Sequence, residues 1–283
     1  MIESIENVVN AIESLQSNPY KDYILPVGSV LVSASVGIFA AHYSVHKQES
    51  NRINIANVEA VNGLLLQTAS ARDNLISIKS NYYKILDGHP INRLLAIPPI
   101  FFDESKAHVD VSKLSFLHSD KLSRDVNKWL NVVRINSIFK NYNFLLNMWT
   151  KRNELIEEFV FPIVSRKHGN AIKHQDFIDE LGLGKVAEIS DITEQAISLT
   201  DDLLIELCCF LEAFSVLSKR KLDPKVLKKY CSTLNFKLPS VEHSQYAVDM
   251  MSLVEELNLT LLTKVLHVPK AEAQERYKKV YLV

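Results

Sequence analysis

The length and composition of the chain favour a protein built from long helices. At 283 residues with 47% apolar content, it can bury a sizeable core, and disorder of the whole chain is excluded. Seven Gly and nine Pro are too few for a turn-rich β sandwich, so we expect an all-α protein. The three cysteines show no Cys-x-x-Cys spacing and fit reduced, buried thiols: Cys208, Cys209 and Cys231.

Residues 1–22 predict a short amphipathic helix outside a membrane or at its surface. Six apolar residues lie on one face at helical spacing: Ile2, Ile5, Val8, Val9, Ile12 and Leu15. The remaining positions include four acidic residues and Lys21 as the single basic one.

Residues 23–45 predict a transmembrane helix. These twenty-three residues contain no Asp, Glu, Lys or Arg, and about twenty apolar residues suffice to cross ~30 Å of hydrocarbon. The competing interpretation is a buried helix of a soluble protein. A signal peptide cleaved after Ala41 is less favoured, because the preceding segment is acidic rather than basic.

Small residues recur every four positions along this predicted span. Ser29, Ser33, Gly37 and Ala41 therefore form one stripe, which allows a second helix to pack closely in lipid. We expect the span to form a homo-oligomer or to bind another membrane protein. Lys47 and Arg52 follow the span, which predicts an outside N-terminus and a cytoplasmic C-terminal domain.

The chain after the span predicts three further segments. Residues 46–90 form a helical stalk that breaks near Gly63 and ends at Leu86. Residues 91–118 form a packed connector, in which Pro98-Pro99 prevents helix and Ile100, Phe101 and Phe102 are buried. Residues 119–283 form a cytoplasmic antiparallel helical bundle.

Caps and apolar spacing predict the helices of this bundle. Residues 119–161 form one helix or a pair, with Leu122 and Val126 among the apolar positions, and Pro162 ends it; residues 174–184 form a short helix capped by Gly182. A long helix begins at Ser190 and Asp191 and ends near Lys219, and a short helix follows with Asp223 as cap and Pro224 as first residue. The last helix is Ser240–His267, with a tail helix after Pro269.

The layout of residues 20–160 resembles that of uncharacterised single-span bacterial inner-membrane proteins. A span, a polar stalk, a Pro-Pro-aromatic connector and the segment "KLSFL", Lys113–Leu117, carry this resemblance. It implies a location in the bacterial inner membrane, and some of these proteins are encoded near phage-defence genes. The resemblance implies no catalytic residue.

A basic cluster follows an acidic block in the C-terminal half. Residues 176–212 contain ten acidic residues and one Lys, and six basic residues follow: Lys219, Arg220, Lys221, Lys225, Lys228 and Lys229. This cluster could contact anionic lipid or, less favoured, nucleic acid. The favoured interpretation is a solvated surface that pairs with the acidic block.

Three further patterns favour structure over chemistry. His42 and His46 have a metal-binding spacing but no third ligand nearby. "GLGK", at residues 182–185, lacks the first Gly and the Ser or Thr of a phosphate-binding loop and fits a helix cap. Glu206 and Glu212 lack the Glu-x-x-His pairs of a di-metal site and fit the edge of an amphipathic helix.

We therefore expect no catalytic residue, metal or cofactor. The leading hypothesis is a non-enzymatic membrane-anchored scaffold, sensor or effector that contacts lipid and self-associates through its span. The alternatives are a toxin-like, membrane-perturbing antiviral effector and a soluble nucleic-acid-associated helical protein.

Overall fold

The computed structural model divides into two compact units, Met1–Ile55 and Ala56–Val283. It describes residues 2–14, 20, 24–118, 127–167, 173–238, 242 and 244–277. No strand occurs among these described residues, which confirms the predicted all-α class. Their α-helices are α1 (Ile2–Ser14), α2 (Leu25–Ser80), α3 (Pro90–Ala96), α4 (Val132–Leu155), α5 (Phe161–Arg166), α6 (His174–Leu181), α7 (Leu183–Lys219), α8 (Pro224–Lys229), α9 (Gln245–Met251), α10 (Leu259–Leu266) and α11 (Lys270–Arg276).

The first unit consists of α1 and the part of α2 that ends at Ile55. Large apolar side chains in this part of α2 are exposed, including Phe39 at 76%. The hydroxyl of Ser29 donates to the carbonyl oxygen of Pro26, and that of Ser35 to the carbonyl oxygen of Leu31, both at 2.8 Å. The helix therefore satisfies these polar side chains internally.

Within the second unit, α2 is a buried helix. Its buried residues follow helical spacing: Val58, Val61, Leu64, Leu65, Thr68, Ala71, Leu75, Ile78 and Lys79. The predicted break near Gly63 is wrong, because α2 passes through this residue without interruption. The helix ends at Ser80, six residues before Leu86, where the side-chain amide of Asn81 donates to the carbonyl oxygens of Ser77 and Ile78.

The connector begins with a helix that the sequence interpretation missed. α3 starts at Pro90, where Nδ1 of His89 accepts a hydrogen bond from the backbone N–H of Ile91. Residues 97–110 contain no helix, as Pro98-Pro99 predicts, and Ile100 is buried. Phe101 is 92% exposed, so its predicted burial is wrong. A 3₁₀ segment, Val111–His118, follows.

α7 lies at the centre of the second unit, in contact with α3, α4, α6 and α10. Its contacts with α4 occur at two levels: the indole N–H of Trp149 donates to Thr200, and Arg134 forms an ion pair with Glu206. Residue numbers rise along α7 as they fall along α4, so the two helices run in opposite directions. A second short 3₁₀ turn, Lys128–Leu130, leads into α4. Leu122 and Val126 lie outside the described residues.

Pro162 does not end the helical segment, so that prediction is wrong. A π-helical turn, Ile156–Val160, joins α4 to α5, and the backbone N–H of Phe161 donates to the carbonyl oxygen of Ile156. Proline lacks an N–H and its ring crowds the preceding turn of an α-helix. The π-helical turn is wider than an α-helical turn and lies just before Pro162, where the ring would otherwise crowd the backbone. The helix then continues as α5 to Arg166.

Gly182 separates α6 from α7 by a single residue. Its φ of 84° is easily adopted only by glycine, and its N–H donates to the carbonyl oxygen of Ile178, which confirms the predicted cap. The predicted helix start at Ser190 and Asp191 is wrong. The chain has already turned at Gly182, so α7 begins at Leu183 and Ser190 is buried within it.

In the described part of the C-terminal region, two short helices, α9 and α10, take the place of the predicted Ser240–His267 helix. The predicted start, Ser240, lies outside the described residues. Helix α9 ends at Met251, and residues 253–258 have no regular secondary structure. Asn258 then caps α10 by accepting hydrogen bonds from the N–H groups of Thr260 and Leu261. The predicted tail helix after Pro269 is confirmed as α11.

Candidate functional site

The first candidate site is the apolar part of α2 in the first unit. An 18-residue window in this helix has a mean hydropathy of 1.6, and none of that window is buried. A core helix of a soluble protein would bury at least one face. Among the described residues, this one helix is long and apolar enough to cross a membrane. The predicted span, 23–45, coincides with it, although residue 23 lies outside the described part.

The stripe of small residues lies on this exposed helix. Ser29, Ser33, Gly37 and Ala41 are all exposed. A side-chain carbon added at Gly37 would meet no atom within 4 Å, so the chain itself leaves this face open. The described residues therefore contain no helix that already packs against the stripe.

The basic cluster occupies the end of α7 and the following short helix. Lys219 ends α7, and Lys225, Lys228 and Lys229 are exposed on α8. Buried Leu222 and Val226 attach this corner to the second unit. Asp223 caps α8 by accepting from the N–H of Lys225, and Pro224 is the first residue of the helix, as predicted.

The acidic block forms ion pairs with other cations. Six of its members have such partners: Glu180 with Arg166, Glu188 with Lys185, Asp191 with Arg276, Glu194 with Arg93, Asp201 with Lys79 and Glu206 with Arg134. These six carboxylates face cations from α2, α3, α4, α5 and α11 as well as from their own helix. The pairing of the block with the basic cluster stays a prediction.

Two buried ion pairs lie at the centre of the second unit, and the sequence interpretation missed both. The ammonium of Lys79 lies 2.7 Å from a carboxylate oxygen of Asp201, and each side chain is 1% exposed. Nε of Arg93 lies 2.8 Å from a carboxylate oxygen of Glu194. Glu194 and Asp201 are seven residues apart on α7 and therefore lie on one face. That spacing, inside an apolar helix, is the signal that could have located them.

A third buried cation, Arg152, binds backbone carbonyl groups. Its guanidinium donates to the carbonyl oxygens of Leu94, Ile97 and Pro98, which fixes the connector against α4. Burial lowers the pKa of Arg152 to about 9, so the group stays protonated at neutral pH. Its role is to donate hydrogen bonds to carbonyl groups at the end of α3 and just after it.

The irregular segment 252–258 lies across these charged groups. The carbonyl oxygen of Ser252 accepts from Lys79, and the N–H of Val254 donates to Asp201 at 3.2 Å. The carbonyl oxygen of Glu255 accepts from Arg93. Each buried ion pair thus also provides a hydrogen-bond partner for a backbone that has no partner strand or helix.

A cavity of about 320 Å³ lies between this segment, α7 and α11. Its lining includes the Arg93–Glu194 pair together with apolar side chains such as Ile197 and Leu257. Tyr277, also on its wall, donates its hydroxyl hydrogen to Asp191. Arg93, Glu194 and Tyr277 are therefore already engaged in hydrogen bonds at the cavity wall.

The remaining predicted candidates provide no reactive group. Among the described residues, no three His, Cys, Asp or Glu side chains are close enough to hold a metal, and His42 and His46 are exposed on α2. Burial raises the pKa of the Cys208 thiol to about 11, so it is protonated at neutral pH. Glu206 pairs with Arg134, whereas Glu212 is partly buried with no ion pair among the described residues.

Two histidines stack at the start of α3. The ring centroids of His89 and His174 are 4.1 Å apart, and His174 Nε2 lies 2.6 Å from the side-chain oxygen of Asn92. Burial and the neighbouring His174 lower the pKa of His89, although the carboxylate of Asp87 opposes this effect. The neutral ring of His89 is the form that caps α3, because its Nδ1 accepts a hydrogen bond.

No protein-family model matches the sequence, and neither the curated proteins nor the solved structures include a significantly similar chain. Functional inference therefore depends on the described residues and their physical chemistry.

Proposed function

We propose that this protein is a non-enzymatic, membrane-anchored helical scaffold, sensor or effector. One observation carries the proposal: the apolar part of α2 exposes an uncharged surface on all sides. Burial of apolar surface is favourable by about 25 cal/mol per Å², so this helix is unfavourable in water and stable in hydrocarbon. About twenty apolar residues are enough for a bilayer, and the helix meets this length.

The hydrogen bonds of the serines support the same surroundings. A bilayer core provides no water, so every polar group of a spanning helix needs a partner within the protein. The hydroxyl groups of Ser29 and Ser35 have such partners one helical turn earlier. These two serines are therefore compatible with lipid.

The proposed topology places the N-terminus outside and the helical domain in the bacterial cytoplasm. Lys47 and Arg52 follow the span, and Lys21 is the only basic residue before it. The second unit, with α7 at its centre, would then form a cytoplasmic antiparallel bundle. Its buried ion pairs and protonated Cys208 support a binding or transmitting role over catalysis.

Fractionation tests the proposed anchor directly. Expressed cells are lysed, the membranes are washed with carbonate, and a C-terminal tag is followed before and after protease is added to the outside. We expect the full chain to stay in the washed membranes with its tag protected. Release of the chain by carbonate would contradict the anchor, and digestion of the tag from outside would reverse the topology.

The proposed self-association depends on the small-residue stripe. An isoleucine at Gly37 would hold a second helix away, so Gly37→Ile is expected to abolish crosslinking between copies in the membrane. Gly28 lies nine residues earlier, on the opposite face of the helix, and Gly28→Ile is the matched control. Equal crosslinking of the two variants would contradict the stripe as the contact surface.

A further inference from the structure

The basic cluster lies at the end of the second unit where the buried part of α2 begins. The side chain of Asn62 bonds to the backbone of Ser232 and Leu234, each at 2.9 Å. The hydroxyl of Ser215 donates to the side-chain oxygen of Asn235. The chain that follows α8 thus joins the start of the buried part of α2 to the end of α7.

The helices α2 and α7 run in opposite directions, so the Lys79–Asp201 pair marks the end of the unit that is far from this cluster. Lys79 pairs with Asp201, whereas Asn62 is linked through the segment after α8 to Ser215. These links are seventeen residues apart on α2, which corresponds to roughly 25 Å of helix. The six cations are therefore concentrated at one end of the unit.

Four cations of this cluster, Lys219, Arg220, Lys225 and Lys228, are exposed and can meet an external anion. Within the described residues, Lys219, Arg220, Lys225 and Lys228 take part in no ion pair, and the ammonium of Lys229 lies 4.9 Å from the ring centroid of Tyr230. The acidic block is engaged by other cations, as described above. Asp223 is the one carboxylate within the cluster itself.

Exposed apolar and aromatic side chains adjoin the cations in sequence. Val216 is exposed on the last turns of α7, Tyr230 directly follows α8, and Leu238 is exposed beside Lys237. Basic residues beside an aromatic ring and aliphatic side chains are typical of surfaces that enter the headgroup layer of a bilayer. A surface that binds nucleic acid by phosphate contacts alone has no need of the aliphatic members.

We propose that this surface binds the headgroups of anionic lipids at the bilayer into which α2 inserts. The proposal rests on the proposed membrane anchor, because the same helix leads from the apolar stretch to this end of the second unit. The surface consists of Lys219, Arg220, Lys225, Lys228 and Lys229 with Val216 and Tyr230. Lipid binding there would fix the second unit at the bilayer by a contact separate from the span.

Trypsin cleavage of the full chain in vesicles measures this contact. The protein is reconstituted in phosphatidylcholine alone or with added phosphatidylglycerol, and outward-facing molecules are digested. Cleavage at residues 219–229 is compared with cleavage after Lys264 and Lys270, exposed residues near the opposite end. We expect phosphatidylglycerol to slow the former by about fivefold for each lysine in contact, with loss of protection at high salt.

Charge-reversal variants separate this surface from general attraction to the vesicle. Lys225→Glu with Lys228→Glu is expected to restore cleavage after Lys219 in phosphatidylglycerol, whereas Lys264→Glu with Lys270→Glu leaves protection unchanged. Equal cleavage ratios in the two vesicle types would overturn the proposal. Protection by an added oligonucleotide in phosphatidylcholine alone would also overturn it in favour of a nucleic-acid surface.

Flotation of the same samples distinguishes this proposal from the anchor. A chain that floats with both vesicle types but lacks selective protection retains its span and refutes only the lipid surface. A chain that fails to float with phosphatidylcholine vesicles refutes the anchor and, with it, the proposed lipid contact.

Discussion

The two parts of α2 each depart from the usual pattern of a soluble protein, in which apolar side chains are buried and charged side chains are exposed. In the first unit the helix exposes Val, Ile and Phe and contains no Asp, Glu, Lys or Arg from Leu25 to Val45. In the second unit the same helix buries the ammonium of Lys79 against Asp201. Removal of the apolar part from water would be favourable, whereas the buried lysine is stable only where a carboxylate accompanies it. The contrast shows that two parts of one helix have side chains that favour different surroundings.

Charge placed in the apolar part is expected to have the largest effect. Val32→Arg with Val36→Arg puts two cations in the proposed span, each of which costs about 2.5–3.5 kcal/mol at the centre of a membrane helix. We expect loss of the carbonate-resistant membrane fraction. Val133 and Phe144 of α4 are also exposed, and Val133→Arg with Phe144→Arg is the matched control in the second unit. Membrane retention of the first variant would remove the distinction between the two surfaces.

Removal of one partner of a buried ion pair should have the next largest effect. Lys79→Met leaves Asp201 buried without its cation, so we expect a loss of about 3–5 kcal/mol in the free energy of unfolding. Denaturant unfolding in detergent, followed by the fluorescence of buried Trp149, measures it.

Two further variants sharpen this test. Lys79→Met with Asp201→Asn removes the buried charge but keeps an acceptor for the N–H of Val254, and it should recover much of the loss. Arg52→Met breaks the exposed pair with Glu49 in the first unit and should leave the unfolding curve unchanged. An equal loss for Arg52→Met and Lys79→Met would show that burial does not set the importance of these pairs.

The smallest expected effect is a pH dependence from His89. Its pKa is lowered in the folded protein, so the unfolded chain binds more protons as the pH falls below about 6.5. The stabilisation is therefore complete above that pH and is lost as the pH falls through the lower, folded pKa. His89→Asn keeps an N-cap acceptor without a titrating ring, so it should reduce the loss of stability in acid. Urea midpoints at neutral and acidic pH measure this, with His108→Asn as control.

Local patterns in the sequence predicted the features that depend on a few neighbouring residues. The apolar stretch, the glycine cap at Gly182, and the start of α8 at Asp223 and Pro224 all belong to this class. In each case the controlling physical chemistry lies within one or two helical turns.

The features that were missed depend on partners far apart in the chain. Lys79 and Asp201 are more than a hundred residues apart, and neither residue type is ordinarily expected in a core. Six carboxylates of the acidic block pair with cations that are mostly far away in sequence, such as Arg93 and Arg276. The start of α10 was an exception, because Asn258 is a local capping signal that the sequence interpretation overlooked.

Segment 252–258 illustrates that irregular backbone need not be mobile backbone. The N–H of Val254 is held by buried Asp201, and the N–H of Asn258 donates to the carbonyl oxygen of Gly88 at 2.9 Å. Exchange of the Val254 amide hydrogen with deuterium requires that the ion-paired centre of the unit open first. We therefore expect its exchange to be as slow as that of the central turns of α7. The regions of this protein that open first to proteolysis or exchange are therefore expected where backbone hydrogen bonds are exposed, and the absence of helix alone does not identify them.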